Sequence, residues 1–262
     1  MQKISINEII DYSFCPMLYI LKYKTPEYKN KAINLLEKYD SDIHKVIYKA
    51  LNQVQNNQQI NLKDIKTYWG KEWIKDKRKA NIVFGETLLT KDTYNVKRRK
   101  GLDLLMNFYY KFSSEQFTPL IINQEYKIQI NKNLTLTNRI ELVREMEDGT
   151  IQLITFKCDD YNSTSKLNDL KVMADYYICK SLFKTKKIKH YVYNLNKDTF
   201  YENNATKKMI NFFKCNIINI YKSIYNKLYY LNSGTHCYNC VYKKVCTGRM
   251  NQLIDRITDK EV

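Results

Sequence analysis

Three cysteines crowd the C-terminal end of the chain: Cys237 and Cys240 with two residues between them, then Cys246. Thiolates at these spacings converge on one metal centre, and soft sulfur selects zinc or an iron–sulfur cluster over hard ions. Such a centre needs a fourth ligand. His236, beside the pair, would complete a Cys3His zinc site; Cys15, isolated near the other terminus, would complete a four-cysteine site. The chain has seven cysteines, and in the intracellular setting expected below they are not a disulfide framework. Cys179 and Cys215 fall in helical contexts where a small apolar side chain suffices, so core packing is expected of both.

A second chemistry is written in basic runs that carry aromatics. One spans Tyr68 to Lys79 and offers Lys71, Lys77 and Arg78; the other spans Tyr94 to Lys100 and offers Lys97, Arg98 and Arg99. Rings stack on bases while Lys and Arg follow phosphates, a mixture suited to single strands. The whole chain leans the same way, with 44 Lys+Arg against 27 Asp+Glu and a net charge of +17. Lys, Asn, Ile and Tyr share AT-rich codons, but so does Glu, which has not risen with Lys. The charge therefore points to a polyanionic partner.

These residues need a scaffold, and 262 residues with 44% apolar content can bury a substantial core. Six glycines, three prolines and 13% aromatics exclude collagen-like and disordered designs. No apolar stretch approaches the roughly 18 residues of a membrane span, and Glu8 and Asp11 interrupt the apolar core a signal peptide would need. A soluble, intracellular protein is expected.

Ser5 and Glu8 form a capping-box pattern that opens a helix near Ile6, and Pro16 then restarts it, leaving Cys15 at a bend. Apolar residues recur at helical spacing from Lys31 to Val54, with His44 on the boundary of that face; 62–80 and 92–112 also read as helices. The period then changes to strand alternation over 120–130 and 134–143, around Asn131-Lys132-Asn133, and over 150–157 after Glu147-Asp148-Gly149. A helix over 166–183, a strand over 188–195 and a long helix over 205–231 follow. The fold class expected is α+β, with the helical first half wrapped onto the sheet. Three regions are expected: 1–115, helical; 116–232, the sheet core; and 233–262, the cysteine tail.

The order of Asp11-Tyr12-Ser13-Phe14-Cys15-Pro16, a helical histidine, Arg139-Ile140-Glu141-Leu142 in a hairpin, Phe156-Lys157 closing the third strand and a terminal three-cysteine cluster resembles the RecB-type PD-(D/E)XK nucleases. Similarity is greatest to the branch with a four-cysteine iron–sulfur cluster, which includes a CRISPR-associated exonuclease family, the AddB nuclease part and exonuclease V. It covers nearly the whole chain and implies a restriction-endonuclease-like αβββαβ core. It further implies a 4Fe-4S cluster on Cys15, Cys237, Cys240 and Cys246, with zinc as the alternative. Mg2+ or Mn2+ would be held by His44, Glu141 and the Phe156 carbonyl, and Lys157 would orient water or contact phosphate. Glu125 matches an acidic residue on the first strand, and Tyr176 and Tyr177, near the family's Gln-x-x-x-Tyr motif, are expected to contact DNA.

Two departures bear on activity. Thr155 stands where the D/E-x-K motif has its carboxylate, and a neutral hydroxyl weakens both metal affinity and general-base assistance. The Gln-x-x-x-Tyr glutamine is absent from Lys171-Val172-Met173-Ala174-Asp175-Tyr176-Tyr177. Asp159 and Asp160 are the nearest substitutes for the missing carboxylate, or else solvated turn residues. The function expected is metal-dependent cleavage of single-stranded DNA or DNA ends, of the kind used in antiviral defence and repair. The alternative is a DNA-binding pseudo-nuclease that recruits partners. Expected protein partners are a spacer-integration complex or a helicase, and none is membrane-bound.

Overall fold

Ser5 ends one element and starts the next. In the computed structural model, which describes residues 2–26, 33–75, 82–84, 87–88, 91–158, 169–184 and 186–248, it closes β1 (Gln2–Ser5) and caps α1 (Ile6–Phe14). Its Oγ accepts from the Glu8 N–H at 3.2 Å, and Glu8 Oε2 accepts from the Ser5 N–H at 2.9 Å, so the capping box is complete. Cys15 is extended and buried where α1 stops, and Pro16 opens α2 (Pro16–Tyr19).

Three longer helices follow: α3 (Leu35–Gln55), α4 (Leu62–Lys75) and α5 (Lys91–Ser113). β2 (Ile33–Asn34), just before α3, joins β3 (Ile82–Phe84) and β4 (Thr87–Leu88), which lie between α4 and α5, in a small separate sheet. Ile43, Val46, Ile47 and Leu51 of α3 repeat at helical spacing, so one face of α3 enters a core shared with Trp69, Trp73, Leu105, Phe108 and Phe112. Leu142, Ile154, Phe156 and Tyr193 of the main sheet belong to the same core. The helices are thus packed on the sheet, and each such large apolar side chain contributes about 1.5–3 kcal/mol.

That sheet contains β1, β5 (Phe117–Asn131), β6 (Leu134–Met146), β7 (Ile151–Lys157), β8 (Ile188–Asn194) and β9 (Thr199–Glu202). Its order is β1-β6-β7-β8-β9, with β5 also paired to β6, and β7 and β8 run parallel across α6 (Leu170–Leu182). Val143 and Leu153 turn to the opposite face and pack on Ile178 and Cys179 of α6. α7 (Lys207–Tyr225) presents Phe213, Ile217 and Ile224 to Ile6, Ile9 and Tyr12 of α1. The architecture is α+β, with helices on both faces of a mixed sheet.

Three expectations are corrected. The last long helix stops at Tyr225 rather than 231, because Lys227 takes a left-handed conformation (φ 56°) and the Lys227 and Leu228 N–H groups turn back to Ile224 and Ser223. Cys215 is exposed: two residues from both Phe213 and Ile217, it falls on the opposite side of α7 from their buried face. The strands β1 and β9 lie outside the expected hairpin and crossover.

Candidate functional site

The site is built at a fork in the sheet. β1 pairs with β6 over Leu134 to Thr137, and β7 pairs with the same strand over Leu142 to Glu145, which leaves Asn138 to Glu141 between two ladders. β7 diverges there, and the Phe156 N–H donates to Glu141 Oε2 at 2.6 Å in place of a ladder bond. The carboxylate is thereby fixed at the crotch of the fork. Opposite it on β5, Asn123 adopts a left-handed backbone (φ 49°), and its carbonyl accepts from Arg139 Nη1 at 3.0 Å.

α3 crosses the fork and delivers His44, whose Nε2 lies 3.8 Å from Glu141 Oε2. Its Nδ1 donates to the Asp40 carbonyl at 2.8 Å, which orients the ring and leaves Nε2 facing the carboxylate. Burial opposes charge on His44, but Asp40, Glu141 and the Phe156 carbonyl outweigh it and raise its pKa. Burial also raises the Glu141 pKa, against the pull of Lys171 and His44. Both shifts favour a proton on the His44–Glu141 pair.

α6 supplies the third wall. Lys171 Nζ donates to the Arg139 carbonyl at 2.9 Å and to Asp175 Oδ1 at 2.5 Å, and stands 3.8 Å from Glu141 Oε1. Lys157 Nζ pairs at 3.0 Å with Asp169 Oδ2, a carboxylate that also caps α6. His44, Glu141, Phe156 and Lys157 line one pocket of about 1000 Å³ together with Lys45, Lys97, Lys100, Arg139 and Lys171. The same lining carries the acids Glu37, Asp40 and Glu141, so the six Lys and Arg side chains outnumber them two to one.

Thr155 is buried beneath this pocket. Its hydroxyl donates to Asp175 Oδ2 at 2.7 Å and lies 3.2 Å from His190 Nε2. Asn138 Nδ2 also donates to Asp175, at 2.7 Å, and Asn203 Nδ2 lies 3.0 Å from His190 Nδ1. Burial pushes the His190 pKa down to about 4, so the imidazole is neutral at pH 7. A carboxylate therefore does stand beside position 155, on α6. Sequence reasoning missed Lys171, Asp175 and Asp40; the available signals were Lys171 and Asp175, and Asp40 and His44, each four apart on one helix face.

In a second cavity of about 660 Å³, which has Glu37 in common with the fork pocket, Cys15, Cys237, Cys240 and Cys246 line one wall together with His236. Burial raises the Cys240 thiol pKa, and Cys15 and Cys237 push it the same way. Among the described residues, no three of these donors gather within 4.8 Å of one another. Protein contacts tie the segments around the cavity: Asn232 Nδ2 donates to the Phe14 carbonyl at 2.8 Å, and the Tyr19 and Tyr229 rings stack nearby at 6.4 Å. The His236 Nε2 is buried without a hydrogen-bond partner, beside the Phe14 ring at 4.6 Å.

Other residues singled out by the sequence are scattered. Of the second basic run, Lys97 faces the pocket while Arg98 and Arg99 are exposed on α5, and Lys71 is exposed on α4. Lys77, Arg78, Asp159 and Asp160 lie outside the described residues. Tyr176 stacks on His190 (6.1 Å) and Tyr177 packs against Phe213 (6.2 Å), so neither is brought to the pocket. Glu125 is exposed opposite Arg139. Cys179 is fully buried, whereas Cys158 closes on Asp40 and His44, and the three offer ligand atoms within 4.8 Å of one another.

No family model and no curated protein matches the chain. A solved structure described as "Crystal structure of SSO0001" is similar over 87% of this chain and 94% of that one, at 12% identity and a TM-score of 0.35. Among the described residues no helix is long and apolar enough to cross a membrane.

Proposed function

We propose that this chain cleaves DNA phosphodiester bonds, on single strands or at ends, in a divalent-ion-dependent reaction at the fork pocket. The observation that carries the reading is the meeting of His44, Glu141, the Phe156 backbone and Lys157 in one basic pocket. A bound Mg2+ or Mn2+ would polarise the scissile phosphate and activate water. Glu141 and His44 would hold the ion, with the Phe156 carbonyl beside them. Lys157 places a positive charge where negative charge develops on phosphate oxygens, and Lys97, Lys100 and Arg139 hold the strand.

For the cysteine cavity the reading is an iron–sulfur cluster, with zinc as the alternative: Cys15, Cys237, Cys240 and Cys246 line it together, and soft thiolates select these over hard ions. Ligation by Cys15 would couple folding of the first helices to the tail.

One observation favours a second reading, a DNA-binding protein without hydrolysis: Thr155 is locked to Asp175, and Asp175 is already engaged by Asn138 and Lys171. Labelled single-stranded and duplex DNA incubated with anaerobically purified protein and Mg2+ or Mn2+ separates the two. Cleavage lost in Lys157→Ala supports the nuclease. Salt-sensitive binding without cleavage by the parent overturns it in favour of the binder. Iron and sulfide analysis of the same sample decides the cavity's occupant.

A further inference from the structure

We infer that Asp40, His44 and Cys158 form a binding site for a thiophilic divalent cation of the zinc class, on the α3 side of the fork pocket. It shares His44 with the proposed catalytic set and to that extent rests on that reading, but it assigns the pocket a different ligand set and a different metal chemistry.

Geometry comes first. The three side chains bring a carboxylate oxygen, an imidazole nitrogen and a thiol sulfur within 4.8 Å of one another. Around a zinc-sized ion these atoms need to close to about 3.3–3.8 Å. The movement falls to Asp40, whose side chain is 55% exposed and whose Oδ2 lies 3.5 Å from His44 Nδ1. Asp40 and His44 are four apart on α3, so the helix holds them on one face, while Cys158 follows Lys157 at the end of β7. The hydrogen bond from His44 Nδ1 to the Asp40 carbonyl orients the ring as metal-bound histidines are oriented, and the Phe156 carbonyl and Glu141 are its other polar neighbours, which an ion at Nε2 would displace or join.

Donor chemistry decides the class. A thiolate with one imidazole and one carboxylate suits Zn2+, Co2+ or Cd2+, whereas Mg2+ takes oxygen almost exclusively. Three protein ligands leave a fourth position open, and Glu141 stands beside it, 3.8 Å from His44 Nε2.

An independent observation marks the same wall. The Tyr39 hydroxyl is buried without a hydrogen-bond partner, in a residue only 5% exposed that also lines this pocket. Burial raises its pKa, and Cys158 acts on it in the same direction, which places the two as electrostatic neighbours. A buried orphan hydroxyl is costly unless something binds to it, and an ion-bound water or a phosphate oxygen at this site would be its partner.

Full-length protein with its cysteine cavity loaded is titrated anaerobically with Co2+, following thiolate-to-cobalt charge transfer in the near ultraviolet and bound metal by elemental analysis. One additional Co2+ per chain with a sulfur band is expected. Cys158→Ser should abolish the band and weaken uptake at least tenfold, and Asp40→Asn, at an exposed position that does not threaten folding, should weaken it several-fold. Cys215→Ser, on the far side of α7, should leave both unchanged. An identical band in Cys158→Ser, or uptake without a sulfur band, overturns the inference. Mg2+- or Mn2+-supported cleavage in protein lacking the band sinks this inference alone; the band in protein that cleaves DNA with neither Mg2+ nor Mn2+ sinks the nuclease reading alone.

Discussion

The Thr155 hydroxyl donates to the Asp175 carboxylate at 2.7 Å, and both residues are buried. The bond joins the middle of β7 to α6 and determines what position 155 tolerates. Restoring the motif carboxylate by Thr155→Asp would place two carboxylates in contact in a dry site, where both cannot ionise. The variant is expected to lose about 2–4 kcal/mol, and adding Asp175→Asn to recover most of it. Urea midpoints of the parent, both single variants and the double variant measure the coupling. An unchanged midpoint for Thr155→Asp contradicts the buried pair.

His190 makes stability depend on acid. Its folded pKa is pushed down to about 4 by burial, below its ordinary 6.5. Between those values the unfolded chain binds a proton that the folded one refuses. Stability is therefore complete above about 6.5, falls as pH drops toward 4 and levels off below it, a total of about 3 kcal/mol. Carboxylates titrate nearby, so the measurement is the difference in melting temperature between parent and His190→Gln across that window. A difference that does not change with pH removes His190 as the cause.

Gly101 lets α5 approach α4. A Cβ added there would lie 2.4 Å from Trp69 Cζ2 and 3.1 Å from Tyr39 Cε2, and Trp69 is held by its bond to the Arg98 carbonyl at 3.0 Å. Gly101→Ala should cost about 1–3 kcal/mol by overpacking, despite the better helix propensity of alanine. Lys97 stands over the Tyr39 ring at 5.2 Å, so affinity for single-stranded DNA should fall with it. Denaturation and fluorescence-anisotropy titrations report the two effects; a stabilised variant rules out the close approach.

Cys15→Ser tests whether the ends of the chain are joined through metal. Anaerobically purified variant is expected to lose its bound metal and about 2–3 kcal/mol of stability, a fall in melting temperature of roughly 5–10 °C. The Asn232 to Phe14 hydrogen bond persists, so the tail should stay docked. The same comparison in chelator-treated protein is the control: an equal loss there assigns the effect to packing of the buried thiol.

Features whose causes lie within a few residues were legible in the sequence. Ser5 and Glu8 cap a helix because their groups are three residues apart; Pro16 bends the chain by its own geometry; Asn131 turns the hairpin through its side-chain oxygen, which accepts from the Asn133 N–H, and Gly149 turns its strands through a left-handed backbone. Side-chain periods then assigned helices and strands, and cysteine spacing singled out the tail. The candidate set His44, Glu141, Phe156 and Lys157 came from motif order, while their meeting in one pocket depended on the chain's return path.

That path decided the rest. No local pattern says that β1 and β7 share one edge of β6, so neither the fork nor the Glu141 bond to Phe156 could be read from composition or period. The partners of Thr155, the approach of Cys158 to Asp40 and His44, and the shared cavity of Cys15 with the tail all join residues far apart in sequence. Periodicity tells which side of an element is apolar; only packing tells what that side meets, since one residue of register or one helical turn exchanges every neighbour.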